Sequence, residues 1–331
     1  MSKLCQFYTT NYETILQGLT IPNNIKSVIE PFAGTGELVE FVIKQGEYEI
    51  ECYDIDPKLN NTIKQDTLKL PPNYEGKYVI TNPPYLARNK TNDKTIFDLY
   101  KVNDLYKCFI KTIINVVCLG GIIIIPLNFW SSIRKADIEL RELFLSNYNV
   151  LKINIFEEQV FDDTAYSVCS FQFEPKTDNT NETIITIYPS KDVITAKFEE
   201  VNNYMIGGEL YNLDVSDKYK ITRLTRKNKE KSNTNLLVKC IDSSDKINMS
   251  IADSYIDDTE NQSARTYATL IIEPKISMDI QEKVALKFNK ILTRYRKKYN
   301  SLFLTNYREN GRKRISFDLI YSITGYILDH L

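Results

Sequence analysis

The first half of this 331-residue chain predicts an α/β fold with a mainly parallel sheet. Three observations carry it. Short β-branched runs alternate with longer helical stretches as far as Glu174, a glycine turn joins the first run to the first helix, and Gly120-Gly121 stops a helix just before an all-apolar run.

Taken in order, strands are expected at Lys26–Glu30, Glu49–Tyr53, Lys77–Thr81, Gly121–Pro126, Val150–Phe156 and Tyr166–Phe173. A third, short strand is expected just before Asp66. Helical spacing fits Glu37–Gln45, Leu105–Val117 and Lys135–Ser146. The last two strands have no helix-length segment between them, so they should pair antiparallel. The polar, turn-rich stretch Glu174–Glu182 reads as a boundary, giving a domain of residues 1–175 and a second region of residues 183–331. The second region carries Lys/Asn-rich patches such as Lys218–Asn235, short strands and a helix from about Ser277 to Lys298.

Composition narrows the chemistry. With 43% hydrophobic and 26% charged residues the chain can bury a sizeable core. Its apolar runs, such as Gly121 to Leu127, fall far short of the roughly 20 residues a membrane span needs, and no charged-then-apolar signal stretch opens the chain. A cytoplasmic, reducing setting with no membrane contact is the expectation. The six cysteines form no C-x-x-C pair and read as buried thiols. The single histidine is His330, so a histidine base, a Cys/His dyad or a zinc site has no material, and no metal is expected. From Met278 to Arg314 there are eleven Lys/Arg against three Asp/Glu, which suggests a polyanionic partner.

Two constellations carry chemistry. In Glu30-Pro31-Phe32-Ala33-Gly34-Thr35-Gly36-Glu37 a strand runs into a turn of small residues, which lets backbone approach a nucleotide-like ligand closely. Asp54, about twenty residues on at the end of the second strand, can accept both hydroxyls of a ribose. Ile55 offers an apolar face to an adenine ring, and Asp66 can accept from an adenine amino group. The second constellation is Asn82-Pro83-Pro84-Tyr85 after an apolar strand. Two prolines stiffen the turn, so the Asn82 side-chain oxygen and the Pro83 carbonyl can both accept from one amino group while Tyr85 stacks on the ring that bears it.

With both constellations present, in this order, the sequence resembles the DNA amino-methyltransferase family. The asparagine form of its N/D/S-P-P-Y/F motif is usual for adenine-N6 enzymes. Fifteen residues separate Asp66 from Asn82, too few for an inserted recognition domain, which is similar to the gamma class, where recognition follows catalysis. Gln6-Phe7-Tyr8-Thr9-Thr10 resembles the family's amino-terminal motif, which closes over the methionine end of the cofactor; the family's usual Thr-Pro is Thr-Thr here. Leu105–Ile110 leading to Gly120-Gly121 is similar to the family's helix and strand entry, and Val160-Phe161-Asp162 to its turn before the last strand.

The resemblance implies a Rossmann-like class I methyltransferase sheet that binds S-adenosylmethionine. The implied cofactor set is Thr9, Glu30, Pro31, Phe32, Ala33, Gly34, Gly36, Asp54, Ile55, Asp66, Thr67 and Asn82. The implied catalytic set is Asn82, Pro83, Pro84 and Tyr85, with Phe161 as the second aromatic wall for an extruded base. Its partners are double-stranded DNA and a cognate restriction endonuclease acting on the same site. DNA contact is expected from Arg88 and Lys90 in the polar stretch Leu86–Asp104, and from Arg294, Arg296, Lys297, Asn306, Arg308, Arg312, Lys313 and Arg314, with Tyr295 and Tyr299 interleaved. Two rival substrates share the Asn-Pro-Pro-Tyr cradle: a glutamine amide in protein release factors and adenine in RNA. The glutamine enzymes generally carry a helical domain before the catalytic one, whereas here the glycine turn begins near residue 30.

Overall fold

The computed structural model describes residues 9, 11–161, 167–177, 182–242, 246–256, 266–308 and 312–331, with no side-chain description for 306–308 and 312. They fall into two compact units, the first running to Trp130 and resuming at Arg134–Lys197, the second comprising Ser131–Ile133, Phe198–Arg308 and Arg312–Leu331. Among the described residues no helix is long and apolar enough to cross a membrane.

The first unit is built, in chain order, from α1 (Tyr12–Ile15), β1 (Ser27–Glu30), α2 (Glu37–Gln45), β2 (Glu49–Asp54), β3 (Thr62–Lys64), β4 (Tyr78–Thr81), α3 (Thr95–Tyr100), α4 (Leu105–Asn115), β5 (Gly121–Pro126), α5 (Asn128–Ser131), α6 (Lys135–Asn147), β6 (Tyr148–Phe156), β7 (Val168–Pro175), β8 (Thr183–Tyr188) and β9 (Asp192–Ala196). Its nine strands lie in the order β3-β2-β1-β4-β5-β7-β6-β8-β9. Strands β1 to β5 pair parallel throughout, as the β-branched runs predicted. Strand β7 enters antiparallel between β5 and β6. All six residues of β5 are buried, because a strand covered on both faces needs an apolar run rather than alternation. An aromatic cluster of Phe129, Trp130, Phe144, Tyr148, Phe171 and Phe173 fills the core beside β5 and β7.

Two sequence expectations change. The segment Glu174–Glu182 does not end the first unit: β8 pairs parallel with β6, β9 returns antiparallel, and the units part between Lys197 and Phe198. Thr183, Ile185 and Ile187 are buried while Ile184 is exposed, so the residues that follow the polar stretch belong to the sheet. The stretch Leu86–Asp104, whose polar and partly basic sequence reads as a surface loop, instead holds a 3₁₀ turn at Arg88–Lys90 and helix α3, anchored by buried Phe97.

A buried ion pair joins α4 to α6, Lys107 Nζ lying 2.6 Å from Asp137 Oδ1 with both side chains about 5% exposed or less. Lys107 also donates to Asn103 Oδ1 at 2.8 Å. Removing one partner leaves the other charge buried, so Asp137→Ala is expected to cost about 3 kcal/mol or more. Urea melts of the two proteins test this; a midpoint shift within error would show that water reaches the pair.

The second unit contains β10 (Lys220–Arg223), β11 (Leu236–Lys239), β12 (Asn248–Ile251), β13 (Tyr267–Glu273), α7 (Met278–Tyr299), β14 (Thr305–Arg308), β15 (Arg312–Arg314) and α8 (Phe317–Asp329). Four strands form an antiparallel sheet in the order β10-β13-β11-β12. Helix α8 buries Leu319, Ile320, Ile323 and Ile327 and is capped by Ser316, whose Oγ accepts from Leu319 N at 3.2 Å.

Candidate functional site

Parallel strands end together, so the loops after β1, β2 and β4 gather at one edge of the sheet. Glu30 closes β1 and is 1% exposed. Its Oε1 accepts from Phe32 N at 2.9 Å and from the Thr81 hydroxyl at 2.5 Å, while its Oε2 is buried with no hydrogen-bond partner. Burial drives the carboxyl up to about 8, against the two hydrogen bonds that favour its charged form. The turn that follows holds Gly34 at φ +52° and Gly36 at φ +98°, and a Cβ at Gly36 would lie 2.7 Å from Leu59 Cδ1. Glycine is therefore favoured at both positions for conformation, and a side chain at Gly36 would in addition displace Leu59.

Asp54, at the end of β2, is 4% exposed. Its Oδ2 accepts from Gly34 N at 2.8 Å and its Oδ1 from Asp56 N at 2.8 Å. The residue expected to meet a ribose thus also ties the glycine turn after β1 to the end of β2. Ile55 beside it is 41% exposed, available as an apolar face. Asp66 sits just beyond β3, its Oδ1 accepting from Leu68 N at 3.3 Å and Lys69 N at 3.2 Å. Thr67 is buried and donates to the Pro31 carbonyl at 3.0 Å, tying this turn to the one after β1.

Asn82 leaves the end of β4 with its amide between two hydroxyls. Nδ2 donates to Thr9 Oγ1 at 3.0 Å, and Oδ1 accepts from the Tyr85 hydroxyl at 2.5 Å. The Tyr85 hydroxyl also lies 2.9 Å from the Ile124 carbonyl oxygen. Its ring is 4% exposed and meets Tyr106 edge-on at 6.1 Å. Pro83 is buried and Pro84 partly so. The structure thus brings Thr9, Glu30, Phe32, Ala33, Gly34 and Asn82 to one cleft, with Glu37 and Leu38 completing its lining; about 240 Å³ of empty space there opens to solvent. Neither Glu37, the last residue of the glycine-turn constellation, nor Leu38 was among the expected cofactor residues. Their signal was position alone, the first turn of the helix that the glycines start.

Phe161 is 4% exposed, at the end of a described segment; Asp162 and residues 6–8 and 10 lie outside the described residues. Of the residues expected on DNA, Arg88 pairs with Asp98 at 2.8 Å, whereas Lys90, Arg294 and Lys297 are exposed. Arg296 turns inward, its guanidinium donating to Asp242 Oδ1 at 2.9 Å and to the Ile247 carbonyl at 3.2 Å. Lys313 is buried and Arg314 half-buried, while the side chains of Asn306, Arg308 and Arg312 lie outside the description.

Residues 37–161 match the Eco57I restriction-modification methylase family model. The type II methyltransferases M.HincII and M.HindII of Haemophilus influenzae are each 28% identical over 56% of this chain, matching 40% and 38% of their own lengths. The chain thus spans about two fifths of these curated relatives. A modification subunit of a putative type I restriction enzyme from Vibrio vulnificus YJ016 superposes with a TM-score of 0.49 at 12% identity, over 65% of this chain and 58% of that one. Residues 37–161 are therefore similar to a restriction-modification methylase, a match that implies S-adenosylmethionine as the cofactor.

Proposed function

We propose that the chain transfers the methyl group of S-adenosylmethionine to the N6 amino group of adenine in duplex DNA, at a short specific site. The observation that carries this reading is the shared cleft of the Glu30–Gly34 turn and the Asn82 amide. The residues fit the cofactor. Glu30 supplies a buried carboxylate oxygen without a partner, which suits the cationic methionine end, and the glycine turn leaves backbone within reach of a ligand. Asp54 and Ile55 border the same turn and serve the ribose and adenine, with Asp66 and Thr67 beyond them.

Bound there, the sulfonium supplies an activated methyl group. The amino nitrogen of adenine is a poor nucleophile because its lone pair is delocalised into the ring. Asn82 Oδ1 and the Pro83 carbonyl accept its two N–H bonds, favour a tetrahedral nitrogen and direct the lone pair at the methyl carbon; positioning supplies most of the acceleration. Transfer would be direct, without a covalent enzyme intermediate, and the methylated nitrogen would then shed one of its two protons to water. A paired adenine must first leave the duplex, at roughly a few kcal/mol, offset by stacking between Tyr85 and Phe161. Both rings are interior here, so base entry entails rotation of at least one of them. A restriction endonuclease acting on the same site is the partner this reading implies.

The test is transfer of labelled methyl from S-adenosylmethionine to unmethylated duplex DNA, followed by nucleoside analysis. N6-methyladenine is the expected product. Label found only in RNA or in protein glutamine overturns the substrate assignment and leaves the cofactor site standing.

A further inference from the structure

We infer that the turn Arg226–Lys231, between β10 and β11, is a contact surface for the phosphates of duplex DNA. The inference rests on the DNA reading above and deepens it by naming where the backbone is held.

Six residues, Arg226-Lys227-Asn228-Lys229-Glu230-Lys231, carry four cations and one carboxylate. Lys227, Lys229 and Lys231 are exposed, and among the described residues none of the three has an ion pair within 4.0 Å. The turn is built without them. Asn228 Oδ1 accepts from Thr225 N at 2.6 Å and from the Thr225 hydroxyl at 2.8 Å, and its Nδ2 donates to the Arg223 carbonyl at 3.1 Å. Capping of this kind closes the start of the turn, and the Ser232 N–H donating to the Lys229 carbonyl at 3.2 Å closes its end. Like charges concentrated on a turn they do not help to hold raise its energy, and a polyanion is the partner that reverses this.

The basic stretch at the end of α7 supports the same placement by contrast. Arg296 is committed to Asp242 and Ile247, and Lys298 lies over the Tyr299 ring with Glu209 Oε1 3.9 Å from its Nζ. Some of the charge that looks free in the sequence there is structural. The turn's lysines have no such employment, and ammonium groups on a fixed backbone suit phosphates spaced along a duplex, where contact is electrostatic and independent of base sequence.

Duplex binding measured against salt concentration tests the inference, using the full chain and its K227Q/K229Q/K231Q variant, with cofactor titration as a check on folding. Each phosphate contact contributes roughly 0.9 to the slope of log K on log salt, so the variant's slope should be shallower by about 2 to 3 and its affinity roughly 10- to 100-fold weaker. Asn228→Ala keeps every charge but loosens the turn; it should weaken binding several-fold with an unchanged slope. An unaltered slope and affinity in the triple variant overturns the inference while duplex binding by the parent protein still supports the DNA reading. Failure of the parent to bind duplex, with cofactor binding intact, overturns both.

Discussion

Replacing Asn82 with alanine is expected to lower methyl transfer by roughly 10²- to 10³-fold or more, with cofactor affinity changed no more than a few-fold. On the proposed mechanism, the substitution removes the side-chain oxygen that accepts from the amine and leaves the stiff Pro83-Pro84 turn in place. The side chain is partly exposed in the cleft; without it the buried Tyr85 hydroxyl keeps the Ile124 carbonyl as an acceptor, and Thr9 Oγ1 loses one donor. Stability should therefore fall little. Single-turnover transfer and calorimetric titration of cofactor separate the outcomes: loss of both together would mean that the cleft itself collapses, and retention of transfer would remove Asn82 from the mechanism.

Glu30→Gln should have opposite effects on folding and on binding. The folded carboxyl titrates near 8 rather than near 4.5, so the native state holds its proton across that window and the unfolded state does not. Native stability then declines as pH rises from about 4.5 to 8, by about 5 kcal/mol if the full shift is realised. Glutamine keeps an acceptor for Phe32 N and the Thr81 hydroxyl and cannot ionise. Without cofactor the variant is expected to melt at a similar temperature near pH 5 and at a higher one above pH 8. A cationic ligand prefers the ionised acid, so wild-type cofactor affinity should rise by up to tenfold per pH unit toward pH 8 and level off above it. The variant should bind more weakly and lose this dependence. Parallel pH profiles for the two proteins would show that Glu30 remains charged throughout and that its burial is offset in another way.

What the sequence disclosed was local chemistry. The glycine turn, the proline-stiffened Asn82 turn and the all-apolar β5 each declare themselves within ten residues, and all three form as expected. Pairings across long separations were less visible. Asp54 reads as a ligand residue, yet its bond to Gly34 crosses twenty positions and gives it a structural task as well. Arg296 looks like surface charge until Asp242, 54 positions earlier, folds against it. Helix α8 was not among the expected elements, because its stripe of Leu319, Ile320, Ile323 and Ile327 is interrupted by other apolar side chains that blur the helical period. In the same way β8 was hidden because turn polarity does not distinguish a link between strands from a link between units.

The Tyr85 hydroxyl has one proton and two carbonyl-type acceptors, Asn82 Oδ1 and the Ile124 oxygen. It can satisfy only one of them at a time, so the two are interchangeable hosts. An incoming amine that takes Asn82 Oδ1 strands no donor, since the hydroxyl retains Ile124 as a host 2.9 Å away. On the proposed function, substrate entry would be an exchange between occupants of equal hydrogen-bonding rank, the amide oxygen being held in position until then by a placeholder with a second host.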